Sequence, residues 1–124
     1  MKILIVDDEV KIANVLSERF RLRGIDAIPV YDGKSALDLV KKDSFDGIVL
    51  DLRLPDIDGK EVLKQIRKEF QHIDVVILSG HANDQEFKKC MQMGAIVCFH
   101  KPANIQEIAE VFLKSGKVSD EHNK

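Results

Sequence analysis

Short apolar runs rich in β-branched residues recur along the chain at fairly even spacing. They are KILIV at 2–6, DAIPV at 26–30, DGIVL at 46–50, DVVIL at 74–78 and AIVCF at 95–99. Between them the apolar positions change period. Ile12, Leu16 and Phe20 fall four apart with Ala13 beside them, and Ala36, Leu37 and Val40 follow the same rule. So do Val62, Leu63 and Ile66, then Phe87, Cys90 and Met91, and finally Ile105, Ile108, Ala109 and Phe112. A period of two or an unbroken apolar run marks a strand, and recurrence at three and four marks a helix face. The pattern therefore predicts five strand–helix pairs.

Strands apolar on both faces, alternating with helices, imply a parallel sheet covered on both sides. The predicted fold class is α/β, a doubly wound (βα)5 flavodoxin-like sandwich. Pro29 cannot donate to a strand ladder, so the second strand belongs at an edge. That favours strand order 2-1-3-4-5. Gly24, Gly47 and Gly94 punctuate helix ends or the loops before strands. The pattern ends near residue 115. The stretch 116–124 is polar and reads as a tail or the start of a linker.

In this architecture ligands bind beyond the carboxyl ends of the strands, where the strand order reverses. The first strand runs into Asp7 and Asp8, the third into Asp51, the fourth into Ser79 and the fifth into Lys101 and Pro102. Three carboxylates, a hydroxyl and an ammonium thus meet at one rim. A single acid after a strand is often only a helix cap. Several at neighbouring strand ends repel one another unless a cation joins them. A divalent cation with Lys101 would neutralise the cluster, and Mg2+ suits carboxylate oxygens, with Mn2+ as the alternative. No His/Cys cluster competes for a softer metal. One carboxylate could then serve as nucleophile toward a phosphoryl donor, its charge offset by metal, ammonium and hydroxyl. Pro55 and Gly59, in DLRLPDIDG, make a stiff turn that fixes the backbone around Asp51. Glu9 reads as the start of the first helix, outside the site.

Composition narrows the classes. The chain has 124 residues, 44% of them hydrophobic, which suits one domain with a real core. A formal net charge of −2 gives no basic surface for nucleic acid or for an anionic membrane. The longest apolar runs are too short for a secretory signal or a membrane helix, so the expected location is cytoplasmic. Cys90 and Cys98 are then two reduced, mostly buried thiols.

The motifs VDDE, DLRLPDIDG, the SG closing the fourth strand and FHKP occur in that order over about residues 1–115. In these the chain resembles a response-regulator receiver domain, the phosphoacceptor module of two-component signalling. The resemblance implies that Asp51 is the phosphoacceptor. It implies that Asp8 is a direct metal ligand, that Asp7 holds metal-bound water, and that the Arg53 backbone carbonyl is a third protein ligand. It makes Lys101 the partner of the phosphoryl group, Ser79 the switch hydroxyl, and Phe99 the aromatic that rotates inward. Pro102 matches a proline that often follows a cis bond. The implied partners are a sensor histidine kinase or phosphotransfer protein and a downstream effector. The face formed by the fourth helix, the fifth strand and the fifth helix would carry the signal, and a phosphorylation-dependent dimer is compatible with it. The receiver would be a switch rather than a turnover enzyme. No effector domain follows residue 124, which fits either a stand-alone receiver or a piece of a longer regulator.

Three other readings are weaker. An aspartyl phosphohydrolase would carry a second acid where Arg53 stands. A flavodoxin-type cofactor binder would need a Gly- or Ser/Thr-rich loop where DDEVKIAN stands. An interaction module that takes no phosphate would not need the full acid–lysine set. His81 lies two residues after Ser79 and, with Arg53, is a candidate for tuning phosphoryl lifetime. The stretch GAIVCF lacks the acidic pair that winged-helix members often carry there. Ile96 and Cys98 are instead expected to form an exposed apolar patch.

Overall fold

Ile3, Leu4 and Ile5 are all fully buried although neighbours on a strand point to opposite faces. The sheet they belong to is therefore covered on both sides. The computed structural model describes residues 1–115, so the polar segment expected at 116–124 lies outside the described residues. The strands are β1 (Lys2–Val6), β2 (Asp26–Val30), β3 (Gly47–Leu50), β4 (Asp74–Ser79) and β5 (Val97–His100). The helices are α1 (Val10–Leu22), α2 (Gly33–Lys42), α3 (Gly59–Glu69), α4 (Asp84–Gln92) and α5 (Ile105–Lys114). All four strand pairings are parallel and the order is β2-β1-β3-β4-β5. The doubly wound α/β fold is thus the one expected, with Pro29 on the edge strand.

Two cores flank the sheet. Leu4, Val6, Ile48, Leu50, Val75 and Ile77 face α2, α3 and α4, where they meet Ala36, Val40, Leu63, Ile66 and Cys90. Ile3, Ile5, Val49, Val76 and Leu78 face α1 and α5, where they meet Ala13, Phe20, Ile108 and Phe112. The ring of Phe112 lies so close to Gly47 that a Cβ there would sit 2.3 Å from it. Gly47 is therefore the seat of α5, not only punctuation before β3. Every helix start but that of α1 is capped by a side chain. Asp32 accepts from Ser35 N at 2.6 Å, and Asn83 and Glu86 form a reciprocal capping box on α4.

The fifth strand is displaced from the expected 95–99. Gly94 takes φ +107°, and the Ala95 N–H is spent on the Cys90 carbonyl at the end of α4. Regular pairing therefore resumes only at Val97. Ile96 is exposed, as expected, but Cys98 is half-buried with its thiol 3.7 Å from the Phe87 carbonyl. Both cysteines are free thiols. Met91, expected to be core, is exposed on α4 while Cys90 is fully buried. Arg67 of α3 ties the opposite end of the sheet together. Its guanidinium donates to the carbonyls of Gln71 at 2.9 Å, Ile73 at 2.8 Å and Gly94 at 3.1 Å.

Candidate functional site

The ladder continues for one residue past β1 and β3, and this sets two carboxylates side by side. Asp7 N donates to Val30 O at 3.2 Å and Asp51 N to Val6 O at 3.0 Å. Lys101 N likewise donates to Ser79 O at 2.9 Å, carrying the ammonium back over the rim. Lys101 Nζ then lies 2.8 Å from Asp7 Oδ2 and 2.9 Å from Asp51 Oδ2. The bond between Lys101 and Pro102 is cis. Asp7 and Asp51 are both buried, whereas Asp8 is exposed at the mouth.

Carboxylate oxygens of Asp7, Asp8 and Asp51 all lie within 4.8 Å of one another. This hard oxygen donor set fits a divalent cation. Burial raises the pKa of Asp7 above the usual carboxylate range and the charge of Asp51 adds to the rise. The hydrogen bonds from Lys101 and from Glu9 N oppose it. For Lys101 burial works against the ammonium, but the hydrogen bonds to Asp7 and Asp51 outweigh it and hold the pKa above the ordinary lysine value. The site therefore keeps a fixed positive charge beside anionic ligands.

Glu9 corrects the sequence reading. It precedes α1 as expected, but its side chain makes no cap and instead accepts from Lys101 Nζ at 3.1 Å. With Asp8, Asp51, Arg53, Gly80, His81 and Lys101 it lines a cavity of about 300 Å3 above the acids. His81 and Arg53 thus share the mouth of the site. A more apolar groove between α1 and the loop before α5 touches the site only through Lys101.

The loop between β3 and α3 is held from both ends. Asp51 Oδ1 accepts from Arg53 N at 3.2 Å, and Gly59 N donates to Leu52 O at 2.9 Å. A Cβ on Gly59 would lie 2.5 Å from Asp51 O and from Leu52 Cα, so only glycine lets the backbone close there. Pro55 is exposed in the same loop. Asp56 was not singled out by its sequence. Its carboxylate crosses to the start of α2, which lies too far away in sequence for a local motif to reveal it.

Ser79 is buried, and its Oγ accepts from His81 N at 3.3 Å and Ala82 N at 3.2 Å. The hydroxyl is engaged with the loop before α4, not with the acids. Phe99 departs from its expected role. It packs with Leu78 in the α1–α5 core, on the face opposite Ser79, because side chains alternate along β5. It is not placed to fill space that Ser79 vacates. Cys98 and His100 share the face of Ser79, and the His100 ring lies 4.5 Å from that of Phe87 on α4.

Known proteins resemble this chain in sequence and in fold. The family model described as response regulator receiver domain fits residues 3–112. The chain is 34% identical to sporulation initiation phosphotransferase F of Bacillus subtilis (strain 168), over 91% of each. It is 37% identical to the regulatory protein VanRc of Enterococcus gallinarum, over 86% of this chain but 46% of that one. The receiver domain of the Francisella response regulator 1452 superposes with a TM-score of 0.85 at 33% identity, covering 94% of this chain and 98% of that one. No helix among the described residues is long and apolar enough to cross a membrane. The chain belongs to the response-regulator receiver family, phosphoacceptor switches of two-component signalling and not turnover enzymes.

Proposed function

We propose that Asp51 takes a phosphoryl group from the phosphohistidine of a sensor kinase or phosphotransfer protein, in a reaction that needs Mg2+. Mn2+ is the alternative ion. Asp7, Asp8, Asp51 and the backbone carbonyl of Arg53 would hold it. When bound, it neutralises charge on the phosphoryl oxygens. An Asp51 carboxylate oxygen forms the new bond to phosphorus as the bond to the donor nitrogen breaks. Lys101 leaves its carboxylate partners to pair with the transferred group. That group adds a charge of roughly −1.5 to −2 and further acceptor oxygens. Ser79 rotates away from the loop amides to donate to one of them. The outer face of α4, β5 and α5 then reports the state to a downstream effector, with a phosphorylation-dependent dimer as one form of the readout. The domain works in the cytoplasm and itself contacts neither nucleic acid nor membrane.

The observation that carries this reading is the single ammonium held between Asp7 and Asp51 at 2.8 and 2.9 Å. A cation there is what a transferred anion requires. The test is intact-mass measurement over time with Mg2+ and acetyl phosphate, beside an Asp51→Asn variant and a chelator. One phosphoryl gain, absent from both controls, is expected. A gain that persists in Asp51→Asn would move the acceptor elsewhere. Absence of any gain, with no rise in melting temperature on adding Mg2+, would favour an interaction module that takes no phosphate.

A further inference from the structure

The Asp56 carboxylate joins two elements that have no sequence proximity. Oδ1 accepts from Gly33 N at 2.9 Å and Oδ2 from Lys34 N at 2.9 Å. Both donors are free N–H groups at the start of α2, where the helix has no carbonyls to offer them. Oδ1 also accepts from Ile57 N at 2.8 Å, so the same carboxylate folds its own loop. These bonds hold the carboxyl below the usual range, those from Gly33 and Lys34 foremost. The helix is a firm anchor because Ala36, Leu37 and Val40 are buried in the core. The loop thus has three ties: Arg53 N to Asp51 at its start, Gly59 N to Leu52 O at its end, and Asp56 to α2 near its middle. Arg53, whose carbonyl is the proposed third ligand, is itself the donor of the first tie and lies within the segment that the other two close.

We propose that Asp56 is a positioning residue for the metal centre, fixing the Arg53 segment by docking its loop onto the N-terminus of α2. It touches neither metal nor phosphoryl group and acts through the backbone. The placement is specific, since a Cβ on Gly33 would lie 3.4 Å from Asp56 Oδ1 and 3.2 Å from Ile57 Cβ. The inference rests on the metal-dependent function proposed above. An outer partner that orients a ligand commonly contributes 10-fold or more in metal affinity.

The test is Mg2+ titration of the full chain, followed by calorimetry and by the backbone amide spectrum, in wild type, Asp56→Ala and Asp56→Asn. Asp56→Ala is expected to bind Mg2+ about 10-fold more weakly. Asn keeps one acceptor oxygen and loses a single bond, so its affinity should stay within about threefold of wild type. In wild type the Gly33 and Lys34 amides should shift as the metal binds, and in Asp56→Ala they should not respond. Unchanged affinity in folded Asp56→Ala would overturn the inference and leave the function standing. So would an equal loss in Asn and Ala, which would assign the effect to charge alone. Failure of wild type to bind Mg2+ would overturn the proposed function, and this inference with it. Should Asp56→Ala not fold, the Asn variant and the wild-type amide response decide.

Discussion

Ser79 and Phe99 sit on adjacent strands but on opposite faces of the sheet. Ser79 looks toward α4, and Phe99 packs with the core beneath α5. Removing the Phe99 ring should therefore act on stability and not on signalling. Phe99→Ala is expected to cost about 2 kcal/mol, less than a fully buried phenylalanine because the ring is half-buried. Urea unfolding measures the cost. The amide shifts of α4 on phosphorylation should survive in the variant. Their disappearance from a folded Phe99→Ala protein would refute the opposite-face argument.

Asp7 ties stability to pH with a sign opposite to that of most paired acids. Its folded pKa lies above the ordinary 3.8, chiefly because it is buried. The folded state thus holds that proton more tightly than the unfolded chain does. Stability from this group is present below 3.8 and is lost as pH rises through the folded value. Metal-free Asp7→Asn should accordingly unfold at a higher midpoint than wild type at pH 7. The gain should shrink as pH falls toward 3.8. A midpoint lower than wild type at pH 7 would contradict it.

The thiol of Cys98 is pushed up to about 11, first by burial and then by the neighbouring Cys90. The reactive species is the thiolate, so alkylation by iodoacetamide should be slow at pH 8 and climb steeply beyond pH 10. A rate at pH 8 matching that of a small free thiol would show that Cys98 is not held as described.

Two glycines around the site should respond very unequally to an added methyl group. At Gly59 the new Cβ meets backbone atoms at 2.5 Å, which cannot yield as a side chain can. Gly59→Ala should cost about 3 kcal/mol and weaken Mg2+ binding by reshaping the Asp51 loop. At Gly80 the nearest atom is Lys101 Cδ at 3.6 Å, an ordinary contact. Gly80→Ala should remain within about 0.5 kcal/mol of wild type. Comparable melting temperatures for the two variants would rule out the close approach.

The legible parts of the molecule are those in which a local pattern coincides with a global one. The apolar runs of β1 and β2 gave their bounds directly, and Pro29 gave the edge. Asp7, Asp8, Asp51 and Lys101 were readable because topology alone brings strand ends together. Phe99 was misread because resemblance assigned a role without the alternation of β5, which puts its ring on the other face. The start of β5 was misjudged because Ala95 is apolar, yet its N–H goes to the end of α4. Glu9 and Asp56 were missed for a common reason. Each carboxylate finds its partner far along the chain, and no local spacing encodes such a meeting.

Arg67 gives α4 unequal ends. Its guanidinium pins Gly94, just past the last turn of α4, to the rigid α3. The other end follows the loop whose amides rest on the Ser79 hydroxyl. A push at the Ser79 end would therefore turn the helix as a lever with its fulcrum at Arg67. Its nine residues give an arm of roughly 13 Å. A displacement of about 1 Å at the Ser79 end would tilt it by about 4°, without sliding it, so the exposed face moves furthest where it is nearest the acids.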